Sequence, residues 1–452
     1  MKAGDVFCPP WAFAGPFRRH FQESCAELGG SVGNRLRQVI GILSGGPVAL
    51  MLAFAQVRAI VSGLITVSAS SLLATAALGI WLYLFFARGG FWRLGKFDAD
   101  RSRPVPLGRW PRVMAIVPAR DEAETIGLAV AGLVRQEYPG ELAVVVVNDH
   151  SRDETAEVAR RAAAECGAEE RVTVVAATEL AAGWTGKLWA LQNGVERAGV
   201  DTAEFFWFTD ADIVHAPDTL LRLAGRAEHN QLDLASLMVL LRAETFAERL
   251  LIPPFLYFFL QLYPPRWIAN LEARSAGAAG GCVLLRRAAL ERIAGLAAIR
   301  GEVIDDCALA RAVKNEDGKI WMGVTRKSVS LRAYETFGEI QDMIARTAFT
   351  QLRYSALLLA GTLAGLFLTY FAPVGLLFVH DATARILGGV AWLLMVVSFL
   401  PVVKFYRLSG LWAAALPVVA MFYAWATWVS AWRYWLGRGG QWKGRVQAGR
   451  VK

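Results

Sequence analysis

Val113-Met114-Ala115-Ile116-Val117-Pro118-Ala119-Arg120-Asp121-Glu122 and Phe205-Phe206-Trp207-Phe208-Thr209-Asp210-Ala211-Asp212 are the two stretches whose reading decides the fold. Each is a short apolar run that ends abruptly in carboxylates. Two further runs, Ala143 to Val147 and Val172 to Ala176, lie between them, and with Val113 to Val117 and Phe205 to Thr209 they read as buried strands. The intervening segments Thr125 to Gln136, Glu154 to Cys166 and Lys187 to Ala198 carry helical periodicity. Strands alternating with helices predict βαβ units in a mainly parallel, doubly wound α/β sheet with right-handed crossovers. In such sheets ligands bind beyond the carboxyl ends of the strands, so the residues just after each run are site candidates. The first run is followed by Arg120-Asp121-Glu122, the second by Asn148-Asp149-His150-Ser151-Arg152-Asp153, and the fourth by Asp210-Ala211-Asp212. No Gly-x-Gly-x-x-Gly follows any of them, which weighs against a dinucleotide oxidoreductase.

Two carboxylates spaced as Asp210-x-Asp212 at a strand end can hold a hard divalent cation and leave positions open for phosphate oxygens. The alternative is a helix cap, because Pro217 and a helical stretch follow closely. Asp153 opens a helical stretch and reads as its cap. Asp149 precedes that helix, where it can accept hydrogen bonds from a base or sugar edge. His150 and His215 read as polar loop residues rather than ligands.

Working outward, the chain of 452 residues is 55% hydrophobic and only 19% charged, with a mean hydropathy of +0.36. Those values describe a membrane protein with a substantial soluble part and exclude a disordered chain or a collagen. The five cysteines form no Cys-x-x-Cys pair, which argues against a zinc site and a disulfide scaffold and fits a reducing compartment. The net charge of +9 could point to nucleic acid, but seven basic residues against two acidic ones crowd into Arg88 to Arg112, directly after an apolar run. That is a juxtamembrane pattern, and nucleic acid is not an expected partner.

Residues 61–87 read as a transmembrane helix, with Leu64 to Phe86 alone long enough to cross. The basic cluster after it predicts that the soluble domain is cytoplasmic, in an integral inner-membrane protein. Residues 1–60 read as an N-terminal extension containing a glycine-weakened apolar run, and Met51 offers an alternative start. The soluble domain is expected over 88–353. Three charge-free runs, 354–379, 386–403 and 408–432, read as further spans, followed by a basic tail over 437–452. Counting three crossings from the cytoplasm places that tail outside, yet it carries no acid, and the positive-inside rule objects. Either one run is re-entrant or the tail breaks the rule. The apolar segment 250–265 is too short to cross and is expected to lie at the interface, where Phe255, Phe258, Phe259 and the adjacent Trp267 would meet a lipid acceptor and the membrane lipids.

Six motifs in order carry a resemblance: Pro-Ala-Arg-Asp-Glu at 118–122, Val-Asn-Asp-His-Ser at 147–151, Gly-Trp-Thr-Gly-Lys at 183–187, Asp-Ala-Asp at 210–212, Gly280-Gly281, and Asp305-Asp306-Cys307-Ala308-Leu309. Together they resemble the family-2 glycosyltransferases of GT-A fold, specifically the bacterial hopene-associated glycosyltransferases and, more distantly, ceramide glucosyltransferases. The resemblance implies a nucleotide-sugar donor whose nucleoside contacts Glu122 and Asp149. It implies Asp210 and Asp212 holding ribose and diphosphate through Mg²⁺ or Mn²⁺, Lys187 near the donor, and Asp306 as catalytic base. Inverting transfer needs a base distinct from the metal site, and Asp306 meets that need. The alternative for Asp305 and Asp306 is a cap on the following helix. The family often ends its catalytic domain with Gln or Arg, two residues, then Arg-Trp; here Thr350-Gln351-Leu352-Arg353-Tyr354 keeps only the end, with Arg353 available to neutralise diphosphate. An anchoring role for Arg353 at the membrane interface is the alternative. The expected activity is transfer of one sugar to a lipid, a hopanoid-like alcohol by resemblance. The competing readings are a processive polysaccharide synthase and a transporter or scaffold with a degenerate nucleotide-binding domain.

Overall fold

The computed structural model describes residues 68–197 and 203–437, and the backbone of 441–442 and 445–446. The expectations for residues 1–60, the start of the first span, the last residue of the helix ending at Ala198 and most of the basic tail lie outside these residues. The chain divides into two compact units, Met1–Ala69 and Ser70–Lys452, and the sheet and the candidate site belong to the second.

The centre of that unit is an eight-stranded sheet ordered β3-β2-β1-β4-β7-β6-β8-β5. The strands are β1 (Val113–Ala119), β2 (Leu142–Asn148), β3 (Val172–Ala176), β4 (Phe205–Phe208), β5 (Ile213–His215), β6 (Leu234–Leu240), β7 (Val283–Arg286) and β8 (Ile320–Ser330). The β1–β2, β2–β3, β1–β4 and β6–β8 ladders are parallel, whereas β4–β7, β6–β7 and β5–β8 are antiparallel. The parallel half is the part built from the runs legible in sequence, and helices Ile126–Val134, Thr155–Glu165 and Gly186–Arg197 form its crossovers.

All seven residues of β1 are buried, as a strand covered on both faces requires. Pro118 is tolerated there because β4 ends early. The Ile116 carbonyl accepts from Thr209 N on the β4 side, so Pro118, two residues on, turns its missing donor toward that side beyond the last β4 pair at Phe208. Alternate residues feed two cores. Ala115, Val117, Phe205 and Trp207 pack under Ile126–Val134 and helix Thr219–His229. Ile116, Val147, Phe206 and Phe208 pack under Gly186–Arg197 in a cluster that continues to Tyr370, Met395 and Phe399 of the apolar helices. Gly194 allows this second layer to close, since a Cβ there would sit 2.4 Å from Ile116 Cγ2.

Among the described residues four helical stretches, Ala69–Ala87, Ala356–Phe378, Ala382–Phe405 and Gly410–Trp435, are long and apolar enough to cross a membrane. The third outruns the charge-free window because Asp381 caps it, accepting from Thr383 N (2.9 Å) and Ala384 N (3.3 Å), so that Arg385 and Lys404 fall inside its ends. The segment around 250–265 forms the helix Phe246–Leu262 and a short second turn, Pro265–Ala269. A capping box starts the first: Thr245 Oγ1 accepts from Glu248 N while Glu248 Oε2 accepts from Thr245 N. Its face is sealed by Tyr257, whose hydroxyl bonds Ser398 Oγ at 2.7 Å, and by Phe258, edge-on to Tyr370 and Tyr423.

Candidate active site

The turn after β4 brings Asp210 to the centre of a charged cluster. Lys187, from the first turn of helix Gly186–Arg197, places its Nζ 2.8 Å from Asp210 Oδ1 and 3.4 Å from Asp305 Oδ2. Asp305 and Asp306 open helix Asp305–Asn315. Asp306 Oδ1 accepts from its neighbour Cys307 N (2.7 Å) and Oδ2 accepts from Gly280 N (2.8 Å), so its orientation is fixed by backbone donors. Gly280 is needed for this approach: a Cβ would come within 3.2 Å of Lys187 Nζ and 3.3 Å of Asp306 Oδ2. Pro118, Phe208 and Leu309 line the same pocket. Asp210, Lys187 and Asp306, from three distant stretches of sequence, thus converge at the carboxyl ends of β1 and β4.

Burial is the first influence on the charges here. It pushes the Asp306 carboxyl up to about 6, reinforced by the Asp305 carboxylate and opposed by the Lys187 ammonium. Desolvation also raises Asp210, with Lys187 pulling it down and Asp212 pushing it up. Lys187 is pulled down by desolvation but held above its usual range by Asp210 and Asp305. Asp212 follows on the same turn, its Oδ2 accepting from Ser330 Oγ (2.8 Å) and its carbonyl from Leu331 N (2.8 Å).

At the ends of β1 and β2 two loops are laced together. Asp149 is buried, 1% exposed; its carboxylate lies 3.4 Å from Arg120 Nη1 and 3.1 Å from His150 Nδ1, and its carbonyl accepts from Arg120 at 2.8 Å. Asp121 Oδ1 accepts from Arg152 N, and Asp153 Oδ2 accepts from Ala123 N. Glu122 N donates to Thr155 Oγ1 (2.8 Å) and Glu122 Oε2 accepts from Thr125 Oγ1 (3.2 Å). Asp153 is not the N-cap of helix Thr155–Glu165, a position held by Glu154; its Oδ1 accepts from Thr155 N (3.1 Å) while its Oδ2 binds the β1 loop.

Residues 111–341, just over half of the chain, match the family described as glycosyltransferase like family 2. The chain belongs to that family. Among curated proteins it is 29% identical over 201 residues to an N-acetylglucosaminyltransferase of Mesorhizobium japonicum, a match covering 42% of this chain and 43% of that one. It is 38% identical over 99 residues to a 4,4'-diaponeurosporenoate glycosyltransferase of Staphylococcus aureus, covering 22% and 23%. The chain thus matches less than half the length of either curated relative. Among solved structures it is similar to the mannosyltransferase PcManGT from Pyrobaculum calidifontis in complex with GDP-Man and Mn²⁺, at 21% identity and a TM-score of 0.47, over 80% of this chain and 99% of that one. Glucosyl-3-phosphoglycerate synthase from Mycobacterium tuberculosis, in complex with Mg²⁺ and uridine-diphosphate, gives 17% identity and a TM-score of 0.34, over 57% and 83%.

This glycosyltransferase has the GT-A fold, a curled mixed sheet with the carboxylates at its strand ends. Among the described residues no group of three or more His, Cys, Asp or Glu side chains is placed to hold a metal. Asp210 and Asp212 nevertheless fit a cation that completes its shell with phosphate oxygens: they are two carboxylates on one turn, and their mutual repulsion helps hold Asp210 above its usual range.

Sequence reasoning missed three partners. Ser330, which bonds Asp212, arrives on β8 from 118 residues away with no local signal. Arg120 lies inside the Pro-Ala-Arg-Asp-Glu motif, yet its spacing alone gave it no role. Asp305, legible only as part of a motif or as a cap, is the second carboxylate on Lys187. His215 is not a loop residue but a buried member of β5. Its Nε2 and Nδ1 bond Thr209 and Ser328 at 2.8 Å each, and burial lowers it to about 3, so it is a neutral structural side chain. Arg353 is not joined to the cluster: it stands exposed, with φ 51°, in the turn after helix Ala348–Gln351, and among the described residues its side chain has no ion pair or hydrogen bond. Neighbouring Gln351 instead donates to Tyr263 hydroxyl at 2.6 Å. Trp267 lies under the Arg88 guanidinium, 4.7 Å from its ring centre. Phe259 packs on Tyr263, and Phe255 packs in the apolar cluster that includes Ile340 and Tyr423.

Proposed function

We propose that this glycosyltransferase transfers a sugar, with inversion, from a nucleotide-diphosphate donor to the hydroxyl of a lipid acceptor, on the cytoplasmic face of an inner membrane. The observation that carries the reading is the Lys187 bridge, which gathers Asp210 and Asp305 beside Asp306 in one pocket. Inverting transfer needs a carboxylate to take the acceptor proton and a separate positive site to receive the leaving diphosphate.

Asp306 is the base. Held by two backbone donors and raised to about 6, it is ionised at neutral pH and still basic enough to accept a proton. Asp210 and Asp212 would hold Mg²⁺ or Mn²⁺, which when bound neutralises the diphosphate. Lys187 adds a fixed positive charge beside it. Asp149 and Glu122, at the ends of the adjoining strands, serve the nucleoside; Arg353, which stands apart from the cluster, has the diphosphate role only through the motif resemblance.

The acceptor side rests on the apolar wall. Helix Phe246–Leu262 joins the catalytic core to the apolar helices, and Phe255, Phe258, Phe259 and Trp267 are the aromatic groups a lipid would meet there. A hopanoid-like alcohol is the acceptor that the motif resemblance favours. The basic cluster Arg88 to Arg112 supports the cytoplasmic assignment. A polysaccharide synthase is disfavoured by the altered motif around Arg353, and a transporter by the concentration of carboxylates in the soluble domain. The test is to replace Phe258 or Phe259 by Glu: transfer to lipid should fall much further than cation-dependent hydrolysis of the donor. Equal loss of both would leave the segment a structural role only.

A further inference from the structure

We infer that the last apolar helix, Gly410–Trp435, does not cross the membrane but lies along its surface, returning the basic tail to the anionic headgroups on the catalytic side. Length and composition alone would allow a crossing. Its contacts do not.

The preceding span ends on the catalytic side, where Phe405 lies 5.5 Å from the Arg326 guanidinium of β8. The last helix starts five residues later, and Trp412 packs at 5.6 Å against Phe246, which opens the helix of the catalytic domain. From there one flank runs beside residues 337–351, while the other packs on the start of the earlier apolar stretch, residues 356–371, where Leu359 and Leu363 share a cluster with Ala431 and Tyr434. Phe422 meets Phe337, Trp425 Nε1 donates to Gln341 Oε1 (3.0 Å), and Ser430 Oγ donates to the Ala345 carbonyl (2.5 Å) and accepts from Phe349 N (3.0 Å). At the far end Arg433 pairs with Asp342 (2.6 Å) and Tyr434 stacks on Tyr354 at 4.3 Å.

Both ends of the helix thus meet catalytic-side residues, Phe246 and Tyr354, and the charged flank sets the depth between them. Helix Phe337–Ala345 and the turn after it expose Glu339, Asp342 and Arg346, which hydrocarbon would not tolerate. A helix held alongside them from Phe422 to Tyr434 stays at headgroup depth too. Its exposed face fits that depth: Val418, Met421, Trp425, Trp428, Trp432 and Leu436 recur three and four residues apart, and the tryptophans are the residue type of the interface. From Arg433 onward the chain carries six basic residues and no acid. On the catalytic side they join Arg88 to Arg112 against the same anionic leaflet, which removes the conflict with the positive-inside rule.

The test uses full-length protein in vesicles of phosphatidylcholine and phosphatidylglycerol, with Cys8, Cys25 and Cys166 replaced by Ser. Spin labels at Val418→Cys, Trp425→Cys and Trp432→Cys report depth. All three should lie at one depth, roughly 5–10 Å below the headgroup boundary. A second variant leaves the helix intact: Gln447→Cys in the tail should react with an impermeant maleimide from the same side as Glu170→Cys on the catalytic domain. Depths spread over about 20 Å, as 14 residues of a crossing helix would give, or labelling of Gln447→Cys from the opposite side, would overturn the inference.

Discussion

Asp306 lines the pocket, whereas Asp212 follows Asp210 on the turn and is held by Ser330, and that difference separates their expected phenotypes. Asp306 accepts from two backbone N–H groups, one on each oxygen; Asp306→Asn keeps the side chain's shape and one of these bonds while removing its basicity. Donor affinity should stay nearly intact while kcat falls by about 10² or more. Because the folded carboxyl is raised to about 6, its base form is lost as pH falls through that value. Wild-type kcat/KM should therefore drop on the acid side of about pH 6, and the residual activity of Asp306→Asn should lack that limb. Asp212→Asn should instead abolish cation-dependent donor binding, read by calorimetry with and without Mn²⁺, while the protein stays folded. Retained binding would remove Asp212 from the cation site. At this scale the sequence was legible wherever a residue sat next to a strand end or in a motif, as Asp210 and Asp306 do. It was silent where a partner came from afar. Nothing around Ser330 signals that β8 delivers its hydroxyl to Asp212, and only folding reveals that Lys187 bridges Asp210 and Asp305.

The helix Gly186–Arg197 decides whether Lys187 reaches its partners, and Gly194 decides how closely that helix lies on the sheet. A Cβ at 194 would overlap Ile116 and Val147, both fixed in β1 and β2. Gly194→Ala should cost about 1–3 kcal/mol through overpacking, seen as a lower unfolding midpoint. Gly79→Ala, with no atom within 4 Å of the added carbon, should leave the midpoint nearly unchanged. An equal response would mean the sheet yields at Ile116. The elements read from sequence are the ones with continuous apolar runs, β1 to β4 and their crossovers. Strands β5 and β8 escaped because their pattern is mixed: β5 has three residues with a buried histidine, and β8 buries Thr325, Ser328 and Ser330; β6 and β7 are short apolar runs outside the strand–helix alternation that marked β1 to β4. Their antiparallel pairing made the sheet mixed where βαβ logic alone gave a mainly parallel one. The helix Phe246–Leu262 starts earlier than expected because the charge-free window begins only at Leu250, whereas the helix start is set by Glu248. That carboxylate is 0% exposed and accepts from Glu244 N, Thr245 N and Tyr334 N.

Across the whole molecule, one apolar cluster runs from the underside of the catalytic sheet through Tyr257 to Phe399 and Tyr370 of the apolar helices. The pocket and the apolar helices are therefore parts of one packed body, the continuity on which the proposed lipid acceptor rests. The direct measurement is incorporation of labelled sugar by full-length protein in phospholipid vesicles, across a panel of nucleotide sugars, with and without Mn²⁺. The vesicles are supplemented with a polycyclic lipid alcohol, and the comparison is with Asp306→Asn. We predict label in the organic-extractable fraction as a single-sugar product, dependent on a divalent cation and reduced about 10² or more in the variant. Label recovered only as free sugar or water-soluble polymer, or an unchanged lipid product with Asp306→Asn, would contradict the account.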